Sequence, residues 1–425
     1  MKFFKRLLSS GTDRAEPAPD SGKLDAASPP PASPASGLAP LPEIPPDFAE
    51  LHLPDEINRA VHKLGFVKCT PVQKEVLPHS LDGRDIIAQA QTGTGKTAAF
   101  LISIIAYHLE NPEMEPRAPG TPFALAIAPT RELAMQIADD AASLSEFTDL
   151  KIVTLVGGID YERQKKQLAS QVDIAIATPG RLLDFCRSRI IDLSHVESVV
   201  IDEADRMLSM GFIPDVKAIM QRLPRKERRQ TQLFSATFTE DIRRLAASWT
   251  QDPERIEIDP EQIAVDSVDQ RVYLTSTDQK YTVLYNLINS DEVDRIIVFV
   301  NRRDETRSLA DHLYRNGIDC GLLTGEVPQK KRIATLARFK SGECKVLVAT
   351  DVAGRGIHVD NISHVVNYNL PEDPEDYVHR IGRTGRAGST GISIALACED
   401  DAFMLPAIEE LLGARLDCQA PPAEL

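Results

Sequence analysis

Short runs of apolar, often β-branched residues alternate along the chain with longer segments of helical periodicity. A first series of runs reads RDIIAQA, FALAIAPT, KIVTLVGG, VDIAIATPG, SVVIDEAD and TQLFSAT. A second series reads QRVYLTS, RIIVFVN, IDCGLLTG, CKVLVATD, HVVNYNLP and TGISIALA. Such alternation is typical of parallel sheets with helices on both faces, so the pattern predicts two α/β domains of similar build in tandem.

Two segments interrupt this pattern. Beyond its first ten residues, the amino-terminal stretch is rich in Pro, Ala and Ser and nearly free of aromatic residues, a composition that buries too little surface to fold. A later stretch, between the two series of runs, is polar and lacks a clear period. The predicted parts are a disordered leader at 1–46, a first domain at 47–258, a linker at 259–269, a second domain at 270–417 and a tail at 418–425.

Composition excludes several classes of protein. Hydrophobic residues make up 42% of the chain, enough for two cores, yet no apolar run approaches the roughly 18–20 residues that span a bilayer. The basic, apolar start MKFFKRLLSS is too short for a signal peptide, so we expect a cytoplasmic protein. The six cysteines lie far apart without a Cys-x-x-Cys pair, which argues against a zinc site and against a disulfide framework.

The charge balance limits how nucleic acid could bind. The formal net charge is −15, which argues against a broad basic surface. Any nucleic-acid site is therefore expected to be a local groove.

The stretch AQTGTGKT, Ala90 to Thr97, lies between a predicted strand and an apolar, helix-like segment, as a phosphate-binding loop does. Lys96 would reach the β- and γ-phosphate oxygens and Thr97 would ligate Mg²⁺. Ala90 replaces the first Gly of the usual pattern, and the alternative is a Gly-rich turn that binds nothing. The predicted ATP-binding residues of this loop are Ala90, Gln91, Thr92, Gly93, Thr94, Gly95, Lys96 and Thr97, and backbone N–H groups of the last few would cradle the β-phosphate.

Three acids follow the strand SVVI within four residues. Asp202 would hold Mg²⁺, usually through water, and Glu203 would orient or deprotonate the attacking water. Asp205 is better placed to hydrogen-bond protein groups. Taken alone, the cluster could also be a solvated helix start, where acids favour the helix dipole.

The stretch HRIGRTGRAG in the second domain carries Arg380, Arg383 and Arg386. Arginines brought from another domain onto a γ-phosphate would stabilise the charge that develops during transfer. A basic nucleic-acid patch is the competing interpretation, and the lack of such arginines in the first domain favours the catalytic one.

The remaining strand ends carry small residues, hydroxyls and single arginines. Small residues let backbone amides approach a phosphate, and hydroxyls and arginines supply further contacts. Their repetition along one predicted edge of both domains indicates a groove that binds a nucleic-acid strand by its backbone, with little sequence preference, because stacking aromatics are scarce. These clusters are PTREL (129–133), GG (157–158), TPGR (178–181), QKKR (329–332) and TDVAGRG (350–356).

With these motifs in this order, the chain resembles the DEAD-box family of ATP-dependent RNA helicases from Phe48 to about Ile408. GFVKCTPVQ (65–73), SAT (235–237) and VFVN (298–301) extend the resemblance. It implies two tandem RecA-like domains that bind ATP, Mg²⁺ and RNA across the interdomain cleft. The runs GLLTGEVPQKKR and ISIALACEDDAFMLPAIEELLG look most like the bacterial RhlB type, which serves RNA-degrading assemblies, so an endoribonuclease scaffold is an expected partner.

The resemblance also implies residue roles at the ATP site. Gln73 would read the adenine edge and Phe48 would stack on the ring, while Asp351 matches a position near the ribose. Arg383 and Arg386 match the arginines at the γ-phosphate, with His379 tying their motif to the acidic strand end.

Two further groups of residues match family motifs. Ser235 and Thr237 match the element that couples hydrolysis to strand separation, and Asp205 is their expected partner. The positions that match RNA-contacting motifs are Thr130, Arg131, Gly158, Thr178, Arg181, Gln329, Arg332, Thr350 and Arg355.

The chain departs from the family pattern in a few places. Gly354 stands where Ala is more common, and His358 stands where Asp is common. RhlB-type chains commonly extend into a basic tail, whereas this sequence stops at ARLDCQAPPAEL, so RNA binding by such a tail is not expected.

We therefore predict an RNA-dependent ATPase that locally melts short RNA duplexes. A DNA translocase of the same superfamily is one alternative, although Gln73 with Phe48 and the forms SAT and HRIGRTGR favour RNA. The other is a nucleotide-gated RNA clamp or scaffold, which would need the same closed state.

Overall fold

Two seven-stranded sheets, one in each half of the chain, organise the molecule. The structure is a computed structural model that describes residues 43–90, 93–112, 117–258, 268–290, 293–354, 359, 362–385 and 391–425. Four predicted site residues lie outside these ranges: Gln91, Thr92, Arg355 and Arg386. Every strand pairing is parallel, which confirms the predicted fold class.

The first sheet has the strand order β3-β4-β2-β5-β6-β1-β7. Its strands are β1 (Ile86–Gln89), β2 (Ala124–Ile127), β3 (Ile152–Leu155), β4 (Ile174–Ala177), β5 (Ser198–Ile201), β6 (Gln230–Ser235) and β7 (Glu254–Glu257). Its helices are α1 (Pro46–Ala49), α2 (Asp55–Lys63), α3 (Pro71–Leu81), α4 (Lys96–Glu110), α5 (Arg131–Leu144), α6 (Tyr161–Leu168), α7 (Pro179–Arg187), α8 (Ala204–Ser209), α9 (Ile213–Met220) and α10 (Glu240–Trp249).

The second sheet has the equivalent order β10-β11-β9-β12-β13-β8-β14. Its strands are β8 (Val268–Leu274), β9 (Ile296–Phe299), β10 (Cys320–Leu323), β11 (Val346–Ala349), β12 (His364–Asn367), β13 (Gly391–Ala397) and β14 (Cys418–Gln419). Its helices are α11 (Lys280–Ile288), α12 (Arg303–Arg315), α13 (Gln329–Lys340), α14 (Asp351–Gly354), α15 (Pro374–Ile381) and α16 (Leu405–Leu412).

Helices cover both faces of the first sheet, and this explains why β2 and β4 are apolar at every position. Along β2, Ala124 and Ala126 point into one core cluster, whereas Leu125 and Ile127 point into a second cluster on the opposite face. A strand buried on both faces reads as a continuous apolar run. Within the described residues, no helix is long and apolar enough to cross a bilayer.

The structure adds two strands that the pattern does not predict. In β7 only Ile256 is buried, and β14 is a two-residue edge strand with exposed side chains. Their backbones pair with β1 and β8, so hydrogen bonding and not apolar burial holds them. Residues 268 and 269, expected in the linker, begin β8, and residues 418 and 419, expected in the tail, form β14.

Candidate functional site

The loop from β1 to α4 forms the first wall of the site. Gly93 and Gly95 have φ angles of 87° and 93°, a left-handed conformation that Gly adopts without steric cost. A Cβ atom at Gly95 would lie 2.7 Å from Gln73 Nε2 and 2.8 Å from Thr70 Oγ1. Ala90 anchors the start of the loop, because its N–H donates to Ser235 O over 2.9 Å. The loop therefore needs Gly95 for its close contact with α3.

Lys96 and Asp202 form a buried pair behind this loop. Lys96 Nζ lies 3.6 Å from Asp202 Oδ1, and both residues are less than 5% exposed. Within the described residues, Lys96 Nζ has no hydrogen-bond partner. Burial raises the pKa of Asp202, against the opposing effect of Lys96. A buried ammonium group without hydrogen bonds requires a further anionic partner, so the pair fits a phosphate group with its metal ion.

Glu203 begins the turn into α8 with a left-handed backbone, φ 53° and ψ 55°. Its Oε2 accepts a hydrogen bond from Arg206 Nη1 over 2.6 Å, while Oε1 is buried without a hydrogen-bond partner in the described part of the chain. Burial alone would raise the pKa of Glu203, but the charges of Arg206, Lys96, Arg383 and His379 outweigh it and lower that pKa. An ionised carboxylate with one free oxygen can accept a proton from water.

Asp205 forms hydrogen bonds with the segment 235–237, the partner that the family resemblance implies. Its Oδ2 accepts hydrogen bonds from the backbone N–H groups of Ala236 and Thr237 over 2.9 and 3.0 Å. Its own N–H donates to Ser235 Oγ over 3.2 Å. The acidic strand end and the segment after β6 are thus mechanically joined.

Gln73 joins α3 to the phosphate loop. Its Oε1 accepts from the Thr70 N–H over 3.0 Å, and its Nε2 donates to Gly95 O over 3.2 Å. Both polar ends of the amide are therefore used within the protein, and adenine contact by Gln73 stays a prediction. A cavity of about 590 Å³ opens beside it, lined among others by Phe66, Gln73, Lys96, Thr97, Asp202 and Glu203.

The structure corrects the role expected of Phe48. Phe48 is fully buried in the first core, because α1 folds it inward, and it does not line the described cavity. Its ring packs against the ring of Phe66, with centroids 5.9 Å apart, and Phe66 lines the cavity. Phe66 is therefore the aromatic residue available to an adenine ring. The sequence signal for it is present in GFVKCTPVQ, immediately after the Gly.

Arg380 is a structural residue, so the catalytic role considered for it is wrong. The side chain is 1% exposed. Its Nε and Nη2 bind the two carboxylate oxygens of Asp351 over 2.6 and 2.7 Å, and Nη2 also bonds to Asn301 Oδ1 over 2.7 Å. Its guanidinium group lies over the Phe299 ring, 5.4 Å from the centroid. Arg380 therefore fixes Asp351 within the second domain.

Arg383 and His379 face the acidic strand end from the second domain. Arg383 Nε donates to His379 O over 3.2 Å. Both charges contribute to the lowered pKa of Glu203, which places them within electrostatic reach of this carboxylate. The family resemblance implies that Arg383 acts at the γ-phosphate and that His379 ties this motif to the acidic strand end, and both roles stay predictions.

The predicted RNA residues Arg131, Gln329 and Arg332 meet across the cleft. Arg332 Nε donates to Glu132 Oε1 over 2.6 Å, and Gln329 Nε2 donates to the same oxygen over 3.0 Å. Arg131 Nη1 donates to Gln329 Oε1 over 3.2 Å. A Cβ atom at Gly158 would lie 2.3 Å from Arg131 Nη1, so this Gly makes room for the cluster. The expectation that Arg332 contacts RNA is corrected, since its buried guanidinium group bonds to Glu132 and the Ala353 carbonyl.

The remaining predicted RNA positions lie at carboxyl ends of strands. Thr130, Thr178 and Thr350 follow β2, β4 and β11. Thr130 Oγ1 accepts from the Leu133 N–H over 3.2 Å and caps α5. Arg181 lies over the Tyr161 ring, 5.3 Å from its centroid, and donates to Ile159 O over 3.4 Å. RNA contact by these residues stays a prediction.

Comparisons with known proteins agree with this geometry. Residues 70–245 match the model of the DEAD/DEAH box helicase family, and residues 279–388 match the helicase conserved C-terminal domain. The ATP-dependent RNA helicase RhlB of Pseudomonas aeruginosa is 56% identical over 89% of this chain and 96% of its own length. The protein of the same name from Vibrio campbellii is 46% identical over 86% of this chain and 84% of its own length.

Solved structures show the same arrangement of domains. Saccharomyces cerevisiae Dbp5 bound to RNA and ADP BeF3 matches with a TM-score of 0.78 at 30% identity, over 88% of this chain and 95% of that chain. Mss116p bound to ssRNA and AMP-PNP matches with a TM-score of 0.77 at 29% identity, over 89% of this chain and 79% of that chain. Identity, coverage and fold therefore agree with the motif order, and the chain belongs to the DEAD-box helicase family.

Proposed function

We propose that this helicase hydrolyses ATP when RNA is bound and couples each turnover to local melting of a short RNA duplex. The observation that carries the proposal is the environment of Glu203. Its carboxylate is kept ionised by Arg206 and Lys96 of the first domain and by Arg383 and His379 of the second. Because part of this environment comes from each domain, turnover depends on how the domains are held together.

The first domain supplies the nucleotide-binding groups. Lys96 and the backbone N–H groups that precede α4 bind the phosphates, and Phe66 offers its ring to the base. Thr97 and Asp202 would hold Mg²⁺, whose charge offsets that of the phosphate oxygens. Glu203 accepts the proton of the attacking water through Oε1.

Two contacts within the protein, together with the similarity to known RNA helicases, connect this chemistry to RNA. Asp205 joins the acids to Ser235 and Thr237, and Glu132 joins the first domain to Arg332 of the second. The relatives are named RNA helicases, and two similar structures contain RNA. In this proposal RNA and ATP close the cleft, closure bends one strand of the duplex, and hydrolysis reopens the cleft.

An ATPase assay with no polymer, with single-stranded RNA and with DNA of the same sequence tests the proposal. We expect turnover to rise with RNA only, and equal stimulation by DNA would favour the translocase alternative. A strand-displacement assay then separates a helicase from a clamp. A clamp would retain RNA in the presence of ATP without releasing a short complementary strand.

The biological setting is a further part of the proposal. The resemblance to RhlB-type helicases favours a role in bacterial RNA turnover, in the cytoplasm, beside an RNA-degrading assembly such as an endoribonuclease scaffold. Purification of the tagged protein from its own cells, with RNA removed by nuclease, tests this. Copurification of an endoribonuclease would support the role, and its absence under conditions that preserve other complexes would contradict it.

A further inference from the structure

The segment from the last turn of α9 to the start of β6 is basic, although the chain as a whole is acidic. Residues 217–229 contain six cations and one acid, Glu227, whereas the whole chain has a net charge of −15. Four of the cations are exposed, and we call them the basic edge patch: Lys217, Arg222, Arg225 and Arg228. The motifs described above do not use any of them.

The cations of the basic edge patch are not neutralised by neighbouring acids. Among the described residues, none of the four lies in an ion pair. Arg222, just past the end of α9, donates through Nη1 to the carbonyl of Ala218 in that helix, a neutral partner that leaves its charge uncompensated. Other exposed arginines are paired with acids, for example Arg244 with Glu240 and Arg338 with Asp319, while unpaired ones such as Arg163 and Arg315 are more widely spaced along the chain. Four uncompensated cations on one short segment attract a polyanion.

Buried bonds hold the patch in place. Arg229, which is buried, donates through Nε to Thr231 Oγ1 over 3.2 Å and through Nη2 to Trp249 O over 3.3 Å. Lys226 Nζ donates to Thr250 O over 3.0 Å. A cavity of about 450 Å³ opens between this segment and the end of α10, and Lys217, Arg225 and Trp249 line it. The exposed cations therefore sit on a fixed support.

The patch lies on the opposite edge of the first sheet from the predicted RNA groove. It precedes β6, which begins at Gln230 and runs to Ser235 beside Asp205. The groove residues follow the carboxyl ends of the strands, and the patch lies at their amino ends. A six-residue strand spans roughly 20 Å, so an RNA must pass over the side of the domain to reach both places.

We infer that the basic edge patch is a second RNA-binding surface, which holds the phosphates of an RNA strand that extends beyond the interdomain groove. Arginine suits this role because its guanidinium group binds phosphate oxygens in pairs. An acidic protein segment would be the other possible occupant. RNA is favoured because this family already brings RNA to the same domain, and the inference therefore rests on the RNA binding proposed above.

The test compares the full-length protein with the variant K217E/R225E/R228E, using two labelled uridine oligonucleotides. One is just long enough for the groove and the other is several times longer. The matched control R315E/K345E/R415E makes the same charge change at exposed positions of the second domain. Affinities are measured over a series of salt concentrations with a non-hydrolysable ATP analogue present. Stimulation of the unaltered protein by the short RNA is measured first, because its failure would refute the proposed function itself.

For the patch variant, we expect the long RNA to bind at least about tenfold more weakly, with a slope of log affinity against log salt that falls by about 2, or ~0.7 for each of three phosphate contacts. Binding of the short RNA and its maximal ATPase rate should not change. Equal loss for both RNAs, or equal loss in the control, would reduce the effect to net charge and overturn the inference. Unchanged long-RNA affinity, together with patch-dependent binding of polyglutamate, would assign the surface to an acidic protein.

Discussion

Arg332 Nε lies 2.6 Å from Glu132 Oε1, and this ion pair joins helices that belong to different sheets. The two side chains are only 8% and 11% exposed. Because the pair crosses the cleft, opening the domains would return both charges to water. The pair therefore contributes to the equilibrium between open and closed states more than to the folding of either domain.

Glu132→Gln should weaken closure and leave nucleotide binding by the first domain intact. It leaves Arg332 buried without a counter-charge in the closed state, at a cost of about 2–5 kcal/mol for such truncations. We expect the RNA concentration for half-maximal ATPase activity to rise at least tenfold. Glu146→Gln, which breaks the exposed pair with Lys63, is the matched control. If both variants need the same RNA concentration for half-maximal ATPase activity, the pair of Glu132 and Arg332 does not control closure.

Glu203→Gln should bind ATP but turn it over slowly. The amide keeps the shape of the side chain and removes the proton acceptor, which for a general base accounts for about 10²–10⁴ in rate. Binding of a fluorescent ATP analogue and single-turnover hydrolysis with saturating RNA measure the two effects separately. Nearly normal RNA-stimulated hydrolysis would exclude Glu203 as the base. Loss of analogue binding would instead indicate damage to the phosphate site.

Asp205→Asn should separate hydrolysis from strand displacement. The carboxylate accepts from Ala236 N, Thr237 N and Arg206 N, and an amide would turn a donor toward one of these donors. Such an unsatisfied contact costs about 1–3 kcal/mol and should loosen the segment 235–237. We expect strand displacement per ATP hydrolysed to fall, while Thr237→Val, which removes only the longer hydroxyl contact of 3.4 Å, causes a smaller loss. If Asp205→Asn lowers ATP hydrolysis as much as it lowers strand displacement, Asp205 does not couple the two activities.

Phe66 and Phe48 should respond differently to the same substitution. Phe66→Leu removes an aromatic face from the cavity wall, so the KM for ATP should rise several-fold with little change in melting temperature. Phe48→Leu removes buried volume behind it, so stability should fall by about 1–3 kcal/mol, with a smaller change in KM. Thermal melts and ATP titrations of both variants make the comparison. If Phe48→Leu raised the KM for ATP more than Phe66→Leu did, the stacking role would belong to Phe48.

These residues also mark what the sequence alone can predict. The apolar strands β2 and β4 were predictable because burial on both faces leaves a continuous signal, whereas β7 has one buried residue and depends on backbone pairing. Arg380 and Arg383 are three positions apart in one motif. The family resemblance matches Arg383 to the γ-phosphate site and assigns no role to Arg380. The structure adds that Arg380 binds Asp351 inside its own domain, while Arg383 lies within electrostatic reach of Glu203, because α15 ends at Ile381, between the two arginines.

Gly354 is fitted to the ring of Phe299. A Cβ atom at residue 354 would lie 2.4 Å from Phe299 Cε1 and 3.2 Å from Cζ. Phe299 is 2% exposed and packed in the core of the second domain, so its ring cannot move aside freely. The same ring supports Arg380, which holds Asp351 through two hydrogen bonds. A side chain at residue 354 would therefore push on Phe299, and through Phe299 and Arg380 it would affect Asp351, a predicted ATP-site residue.

Gly354→Ala restores the residue that is more common in the family, yet it should impair this chain. Overpacking of this kind costs typically 1–3 kcal/mol, and displacement of Phe299 should also shift Arg380 and Asp351. We expect a lower melting temperature and a several-fold higher KM for ATP. Phe299→Leu in the same chain should relieve part of the loss, because a smaller side chain leaves space for the added methyl group, although it also removes the ring that supports Arg380. If the double variant loses as much as the two single variants together, the contact between Gly354 and Phe299 does not position Asp351.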